Sequence, residues 1–309
     1  MWQKMGLIYA PNRQYHWNQS HAQVPVVEMC DDYWRIYYST RDINNHSRIS
    51  YVDVEAGNPK NILFESNDYI LDIGELGAFD DAGVMPTCII TRGGERYLYY
   101  IGWTIRQSVP YQNALGLAIS KNGAPFQRVS KAPILGISYH DPFFVGTAFI
   151  FIEQGLWRMW YLSCVKWTLI NDKLEPFYHI KYAESGDGIK WNSTGLVAID
   201  FKDEHEAGIA SATVLKTNNI YQMWYSYRGA DNYRNSKKTG YQIGYAVSSD
   251  GLTWQRQDEK AGITRPESGW DSLMQAYPYV IQHNKKKYLF YNGNQFGREG
   301  FGYAIWKND

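Results

Sequence analysis

The sequence predicts an all-β fold, a five-bladed β-propeller with four-stranded blades. The first observation is a strand-like run of aromatic and β-branched residues that occurs five times in the 309 residues. The copies are centred on Ile36, Leu98, Met159, Met223 and Leu289, which lie 61 to 66 residues apart. The second observation is that no stretch has a helical hydrophobic period. A fixed long period indicates a repeat architecture, and four-stranded sheets repeated around an axis are the blades of a propeller.

Each repeat contains four segments of strand length. An apolar segment precedes each aromatic run, and a second strand-like run follows it. In three repeats the second run ends in a turn phrase, at residues 120–126, 185–191 and 248–254. The Asn-Gly or Asp-Gly pair in each phrase favours a tight hairpin, and the aromatic residue that follows is predicted to begin the outer strand. We interpret these turn residues as structural.

The two ends of the chain complement each other. The fifth repeat ends at residues 306–309, directly after its third strand, and lacks an outer strand. Residues 2–4 resemble the outer-strand sequence that begins at Trp254, so we expect residues 2–10 to complete the last blade and close the ring. Residues 1–309 then form a single domain, with blades at approximately residues 15–75, 76–135, 136–200, 201–265, and 266–309 together with 2–10.

The composition argues against several classes of protein. The chain has 31 basic and 31 acidic residues, which gives no electrostatic indication of nucleic-acid or anionic-membrane binding. No stretch approaches the roughly 18 apolar residues of a membrane span. The N-terminus shows no signal-peptide pattern, so the default expectation is a soluble cytoplasmic protein. Cys30, Cys88 and Cys164 are odd in number and lie in or beside strand-like runs, which predicts free thiols.

Candidate catalytic residues lie where the chain enters the innermost strand of each blade. Carboxylates stand at matching positions in four of these five segments, and matching positions are expected to point at one axis. Clustered acids persist mainly where a proton, a cation or a hydroxyl-rich ligand is handled. We predict Asp81 as base, Asp141 as the orienting or pKa-tuning acid, and Glu206 as general acid. The apolar neighbours of Glu206 would raise its pKa. Asp80 could take the role of Asp81, because the sequence does not determine which of the two side chains points inward.

Further residues of the same loops are candidates for binding a substrate. His21 and Gln23 occupy the place where the first blade would carry a carboxylate. Arg228 is suited to bind a carboxylate or phosphate with two hydrogen bonds, although a surface salt bridge is an equal alternative. Arg41 stands at the analogous place in the first blade. The complete set of substrate-binding candidates is His21, Gln23, Asp80, Trp103, Trp167, Arg228, Asp271 and Asn294.

The sequence indicates no cofactor and no metal. The seven histidines show no zinc-binding spacing. The glycine-rich segment 293–300 lies between two predicted strands, so it does not match a phosphate-binding loop that opens a helix.

Several motifs resemble those of the five-bladed propeller glycosidases of families 32, 43, 62, 117 and 130. The resemblance rests on the Ser-x-Asp-Gly-x-x-Trp turns, the Met-Trp-Tyr-Ser strand at 223–226 and the His-Asp-Pro sequence at 140–142, and it covers nearly the whole chain. More narrowly, segments 20–23, 79–86, 269–271 and 291–297 resemble a glycosidase-like family of bacterial surface-polysaccharide gene clusters. The resemblance implies a sugar substrate. In families 32 and 43 the acids come from blades one to three, whereas here they fall in blades two to four.

The function expected from these observations is a glycosidase-like enzyme that acts on a glycan or glycoconjugate by carboxylate acid/base catalysis. One alternative is a glycosyltransferase or glycoside phosphorylase of polysaccharide biosynthesis. A second is a non-catalytic carbohydrate-binding propeller. Two facing carboxyls roughly 5 to 10 Å apart would favour glycosidic hydrolysis. An arginine or lysine cluster would instead favour a phosphate ligand.

Overall fold

The computed structural model describes residues 1–307, and nearly all regular structure in this range is β. In chain order the strands are β1 (Trp2–Tyr9), β2 (Ser20–Met29), β3 (Tyr33–Arg41), β4 (Ser47–Glu55), β5 (Asn58–Glu65), β6 (Gly83–Arg92), β7 (Glu95–Ile105), β8 (Tyr111–Lys121), β9 (Gln127–Arg128), β10 (Val145–Glu153), β11 (Leu156–Ile170), β12 (Lys173–Ser185), β13 (Asn192–Ile199), β14 (Glu206–Thr217), β15 (Ile220–Gly229), β16 (Gln242–Ser248), β17 (Gln255–Arg256), β18 (Ala276–His283), β19 (Lys286–Asn292) and β20 (Phe301–Trp306). The described residues also include a 3-10 turn, Asp258–Lys260, and a short segment α1, Asn294–Gly297.

Antiparallel pairing arranges the strands in five groups of four. The first four groups are β2 to β5, β6 to β9, β10 to β13 and β14 to β17, each in sequence order. The fifth consists of β18, β19, β20 and the N-terminal strand β1, which pairs with β20 from Trp2 opposite Trp306 to Tyr9 opposite Phe301. Single parallel bridges link the first group to the second and the third to the fourth, so the backbone forms two eight-stranded sheets and one four-stranded sheet.

The first strands of the five groups contact one another in cyclic order, from β2 through β6, β10, β14 and β18 back to β2. At least one hydrogen bond that involves a side chain joins each neighbouring pair of groups. These bonds run from Ser39 Oγ to Val84 O (3.1 Å), Thr87 Oγ1 to Ala148 O (2.9 Å), Ser211 N to Thr147 Oγ1 (2.8 Å), Thr213 Oγ1 to Pro278 O (2.7 Å) and Val24 N to Asn292 Oδ1 (2.8 Å). The innermost layer is therefore fixed by polar contacts as well as by apolar packing.

The second strands of the groups, β3, β7, β11, β15 and β19, are the predicted aromatic runs. Each carries a tyrosine with no solvent exposure two residues after the centre of its run, and we call these five residues the repeat tyrosines. They are Tyr38, Tyr100, Tyr161, Tyr225 and Tyr291. Burying such large side chains at one repeated place supplies much of the apolar surface that holds the sheets together.

The predicted hairpin turns are structural. Asp187 Oδ1 accepts the backbone N–H groups of Ile189 and Lys190, both at 2.8 Å, and Asp250 does the same one repeat later. The outer strands β9 and β17 contain only two residues each, fewer than the sequence suggested. Strand pairing ends there at Arg128 and Arg256, whose guanidinium groups bind carboxylates.

The three cysteines are free thiols, as predicted. Cys88 and Cys164 are buried and Cys30 is partly exposed. Within residues 1–307 the structure has no helix that is both long and apolar enough to cross a membrane.

Candidate functional site

The carboxylates at matching positions bind inside their own sheets. Asp80, Asp141 and Asp271 each precede a repeat tyrosine by 20 residues and accept a hydrogen bond from its hydroxyl group, at 3.0 to 3.2 Å. Each also binds a cation of the same sheet, namely Arg128, Lys181 and Lys4 respectively. All three aspartates are at most 3% exposed. The expectation that matching positions point at a common axis is therefore wrong for these residues.

Asp141 is fully buried. Its carboxylate accepts hydrogen bonds from Ser163 Oγ at 2.7 Å, from the Tyr161 hydroxyl and from Ser138 Oγ, and it is paired with Lys181 Nζ at 3.3 Å. A carboxylate with four polar neighbours and no solvent exposure is well satisfied as it stands. Its surroundings fit a structural ion pair better than the predicted role beside a substrate.

Asp80 and Asp81 point in different directions, which the sequence left open. Asp80 lines a cleft between residues 73–80 and 126–131, at the outer edge of the second group of strands. Asp81 is partly exposed, and its carboxylate accepts the backbone N–H of Gly77 at 3.0 Å. Both side chains thus hold the loop that precedes β6.

Glu206, the predicted general acid, is in an ion pair and not in the expected apolar environment. Its two carboxylate oxygens accept hydrogen bonds from Arg256 Nη1 and Nη2 at 2.7 and 2.8 Å. Arg256 also binds Asp258 at 2.7 Å, so one guanidinium group bridges two carboxylates. The prediction from the neighbouring residues failed because Arg256 is 50 residues away in sequence and reaches Glu206 from the outer strand β17.

Replacing Glu206 with Gln is expected to lower the free energy of unfolding by about 1 to 2 kcal/mol, because charge-assisted hydrogen bonds are lost. Urea denaturation measures the change. Glu204→Gln, at an exposed position two residues earlier, is the matched control and should change little. If Glu206→Gln keeps full stability but abolishes turnover of an identified substrate, Glu206 acts as the general acid that the sequence suggested.

Three of the predicted substrate-binding residues have structural contacts. Trp103 Nε1 donates to Ser47 Oγ at 2.9 Å and so joins the first and second groups of strands. Asn294 Oδ1 accepts the backbone N–H of Leu273 at 2.8 Å, which fixes the loop before β18. Trp167 packs edge-on against Tyr111, with ring centroids 5.4 Å apart, and remains partly exposed.

Arg228 is a buried cation enclosed by aromatic rings. Its Nε–H faces the hydroxyl oxygens of Tyr178 and Tyr241 at 3.1 and 3.3 Å, and Nη2 donates to Pro176 O at 2.7 Å. The guanidinium carbon lies 3.9 Å from the ring centroid of Tyr233. Within the described residues no carboxylate lies within 4.0 Å of Arg228, so the surface salt bridge considered for it is absent. Three of its nitrogens already have protein acceptors, which leaves limited capacity to bind a ligand directly.

A second group of basic residues lies where β2 begins. Arg41 Nε donates to Gln23 Oε1 at 3.0 Å and Nη1 donates to Asn45 Oδ1 at 2.8 Å. No carboxylate of residues 1–307 lies within 4.0 Å of its guanidinium group. Burial and the charges of Arg41 and Arg298 lower the pKa of His21 to about 3, so the imidazole is neutral at physiological pH. The structure thus brings His21 and Gln23 together with two arginines.

Tyr277, at the start of β18, belongs to the same region. Burial raises the pKa of Tyr277, which is electrostatically coupled to Tyr178, Arg41 and Arg228, so its phenol is a neutral hydrogen-bonding group. Burial lowers the pKa of Arg41. We call His21, Gln23, Arg41, Tyr277 and Arg298 the mouth residues.

Two of the mouth residues have left-handed backbone angles, His21 with φ of 64° and Tyr277 with φ of 55°. The β-branched Val24, next to them in β2, has φ of 54°, which is a genuine outlier for this residue type. Strained backbone of this kind tends to occur at ligand-binding sites.

Sequence patterns identified some of the mouth residues and missed others. Arg41 and Arg228 each follow a repeat tyrosine by three residues, so this offset is a detectable signal for both. Tyr277 and Arg298 carry no such signal, because Tyr277 lies at the start of β18 and Arg298 in the loop that follows β19. No group of three or more His, Cys, Asp and Glu side chains suited to hold a metal occurs in the part of the chain that the structure describes.

The sequence comparisons identify close relatives of unknown activity. The chain is 37% identical, over 308 residues, to the uncharacterized proteins MT1551 and Rv1502 of two Mycobacterium tuberculosis strains, CDC 1551 and H37Rv. Each match covers 99% of both proteins. No protein-family model matches the chain.

Solved structures with the same fold are glycoside hydrolases. A glycosyl hydrolase from Bacteroides ovatus matches 99% of the chain and 94% of its own length, with a TM-score of 0.73 and 15% identity. A thermostable family-43 glycoside hydrolase matches 97% and 94%, with a TM-score of 0.64 and 19% identity. The family-32 β-fructofuranosidase of Bombyx mori, a mutant in complex with sucrose, matches 96% and 62%, with a TM-score of 0.62 and 14% identity. At such low identity the likeness shows the glycosidase-like propeller fold alone.

Proposed function

Because the chain belongs to the family of the mycobacterial proteins MT1551 and Rv1502 and has a glycosidase-like propeller fold, we propose that it is a carbohydrate-active enzyme. The proposed glycan site is formed by the mouth residues. The observation that carries this proposal is the gathering of His21 and Gln23 near the start of β2, Arg41 at the end of β3 and Tyr277 at the start of β18.

The site is proposed to lie on the axis of a single five-bladed ring formed by residues 1–309. The cyclic contacts of the five first strands support this ring, as does the pairing of β1 with β20. A small cavity lined by Val24, Thr87, Ser211 and Tyr277, from four of the five groups, supports an axis at this place. The hydroxyl oxygen of Ser211 is buried there and has no hydrogen-bond partner among residues 1–307.

The chemistry of the mouth suits a sugar. Guanidinium, amide, imidazole and phenol groups supply donors and acceptors for hydroxyl groups, and the nearby rings of Tyr277 and Phe296 supply apolar surface. Arg41 has five N–H groups and gives two to Gln23 and Asn45, so three remain for a ligand.

A specific observation favours glycosyl transfer or phosphorolysis over hydrolysis by Asp81, Asp141 and Glu206. These three carboxylates share no hydrogen-bond partner, and Asp141 is sealed from solvent. Most glycoside hydrolases use two carboxyls that face one sugar. The basic mouth residues fit a reaction in which phosphate, or the phosphate of a sugar donor, takes part.

The test is binding and turnover with a glycan panel, using His21→Asn as the site variant. Asparagine tolerates the left-handed backbone of this position, so the fold should be retained. We expect wild-type protein to bind at least one neutral glycan and His21→Asn to weaken that binding about tenfold or more, the loss of roughly one good hydrogen bond. Isothermal titration calorimetry measures binding, and nitrophenyl glycosides with and without phosphate report turnover.

His283→Asn is the matched control, because His283 lies at the opposite end of its strand, β18. Its glycan affinity should equal that of the wild type. Glycan binding that is insensitive to His21→Asn would place the site elsewhere, and a panel with no binding glycan would overturn the proposed function.

A further inference from the structure

The strongest feature that remains unexplained is the positive charge at the start of β2. Arg41 is held by two neutral amide oxygens, and neither it nor Arg298 has a carboxylate within 4.0 Å among the described residues. Elsewhere in residues 1–307, buried or partly buried arginines such as Arg35, Arg128 and Arg256 each bind a carboxylate at 2.7 to 2.9 Å. Arg228 also lacks a carboxylate, but aromatic rings and backbone carbonyl oxygens enclose its guanidinium group. Burying the Arg41 guanidinium group without a counter-charge is costly, so its surroundings favour an anion.

The two arginines are brought together by a fixed piece of backbone. Asn292 Nδ2 donates to Ala22 O at 2.7 Å and to Gly300 O at 2.8 Å, and its Oδ1 accepts the Val24 N–H at 2.8 Å. Asn292 therefore clamps the loop that carries Arg298 onto the strand that carries His21. Gln295 and Phe296 in this loop have left-handed φ angles of 53° and 57°. The cluster is preorganised, which reduces the entropy lost when a ligand binds.

The nearby carboxylate is already occupied. Asp42 follows Arg41 in sequence, but its side chain accepts from Arg48 Nη1 at 2.9 Å and from two backbone N–H groups of its own loop. It is not free to neutralise Arg41. Uncompensated charge therefore remains on Arg41, close enough to His21 to lower the pKa of its imidazole.

We propose that Arg41, Arg298 and His21 bind a phosphate group, either attached to the sugar ligand or free as inorganic phosphate. This inference rests on the proposed glycan site. Two guanidinium groups match a dianion with three terminal oxygens better than the single charge of a carboxylate. The neutral imidazole of His21 adds a hydrogen bond without adding repulsion between cations.

The test is calorimetric titration of the full-length protein with four probes: inorganic phosphate, glucose 1-phosphate, glucose and glucuronate. We expect at least one phosphate probe to bind, and Arg41→Gln and Arg298→Gln each to weaken it tenfold or more. Arg41→Lys keeps the charge but loses the planar fork, so an intermediate loss is expected. Arg298 is exposed, so its variant carries little risk to the fold. Arg92→Gln, at the opposite end of inner strand β6, is the control and should bind as the wild type does.

The probes distinguish the two sources of phosphate. Tight binding of inorganic phosphate, enhanced by glucose, identifies free phosphate, whereas binding of glucose 1-phosphate alone identifies a sugar-linked group. The inference is overturned if no phosphate probe binds, if glucuronate binds more tightly than both, or if Arg41→Gln and Arg298→Gln leave affinity unchanged. If neutral glycans bind and neither phosphate probe does, this inference is overturned and the proposed function is kept. If inorganic phosphate binds and no glycan does, the phosphate site is kept and the proposed function is overturned.

Discussion

Replacing Asp141 with Asn is expected to lower the free energy of unfolding by about 3 to 5 kcal/mol, the usual cost of removing one partner of a buried ion pair. Lys181 would remain buried, with only 8% of its side chain exposed, and would have lost its counter-charge. The Tyr161 and Ser163 hydroxyl groups would still find an acceptor in the asparagine. The expected loss therefore comes mainly from the uncompensated ammonium group. Chemical denaturation followed by fluorescence measures it, given the many buried tryptophans.

Two variants check this explanation. Asp81→Asn, on a partly exposed loop carboxylate, should change stability by no more than about 0.5 kcal/mol. The double variant Asp141→Asn with Lys181→Met should lose less unfolding free energy than the sum of the two single variants, because no unpaired charge remains. Unchanged stability of Asp141→Asn together with loss of turnover would restore the catalytic role that the sequence suggested for Asp141.

Removing residues 1–9 is expected to abolish the cooperative unfolding transition. This deletion strips β1 from the four-stranded sheet and exposes the partners of Trp2, Ile8 and Tyr9, all buried side chains. At about 1.5 to 3 kcal/mol for each large apolar side chain, the loss approaches the whole stability of a typical domain. It also removes Lys4, whose Nζ lies 2.7 Å from Asp271. Circular dichroism during thermal unfolding reports the transition.

Adding the peptide of residues 1–9 to the truncated chain should restore part of the transition, because β20 still offers the edge to which β1 pairs. Lys4→Met, which removes only the ion pair with Asp271, should give a smaller loss. A truncated chain that melts cooperatively within a few degrees of the full-length protein would show that β1 contributes little.

The strands were largely predictable because aromatic and β-branched residues at a fixed period have few structural alternatives. The five aromatic runs became the second strands, with one buried repeat tyrosine in each. The Asp187 and Asp250 turns were predictable for a similar reason, since a short local sequence contains both the donors and the acceptors. Each of these features is decided within about ten residues.

The directions of the carboxylates were not predictable in the same way. Asp80, Asp141 and Asp271 were compared by their position before an inner strand, yet their tyrosine and cation partners are 20 to 267 residues away. Position in a repeat fixes where a residue lies, but not which neighbour it binds. The constant offset of 20 residues to a tyrosine was present in the sequence and marks these aspartates as part of the repeat. The apolar environment predicted for Glu206 was wrong for a related reason, because Arg256 binds its carboxylate from a strand that is distant in sequence.

The five residues that follow the repeat tyrosines by three positions differ from sheet to sheet: Arg41, Trp103, Cys164, Arg228 and Asn294. The tyrosines themselves stay the same, and four of them donate a hydrogen bond to an aspartate of their own group of strands. The repeated tyrosines and the positions that differ between the groups are thus distinct residues, three positions apart. A laboratory library at Arg41 would change the chemistry near the mouth and leave the aspartate–tyrosine anchors untouched, whereas Trp103 and Asn294 also hold neighbouring strands and loops. The same separation gives descendants of such a fold a route to new ligands without refolding the sheets.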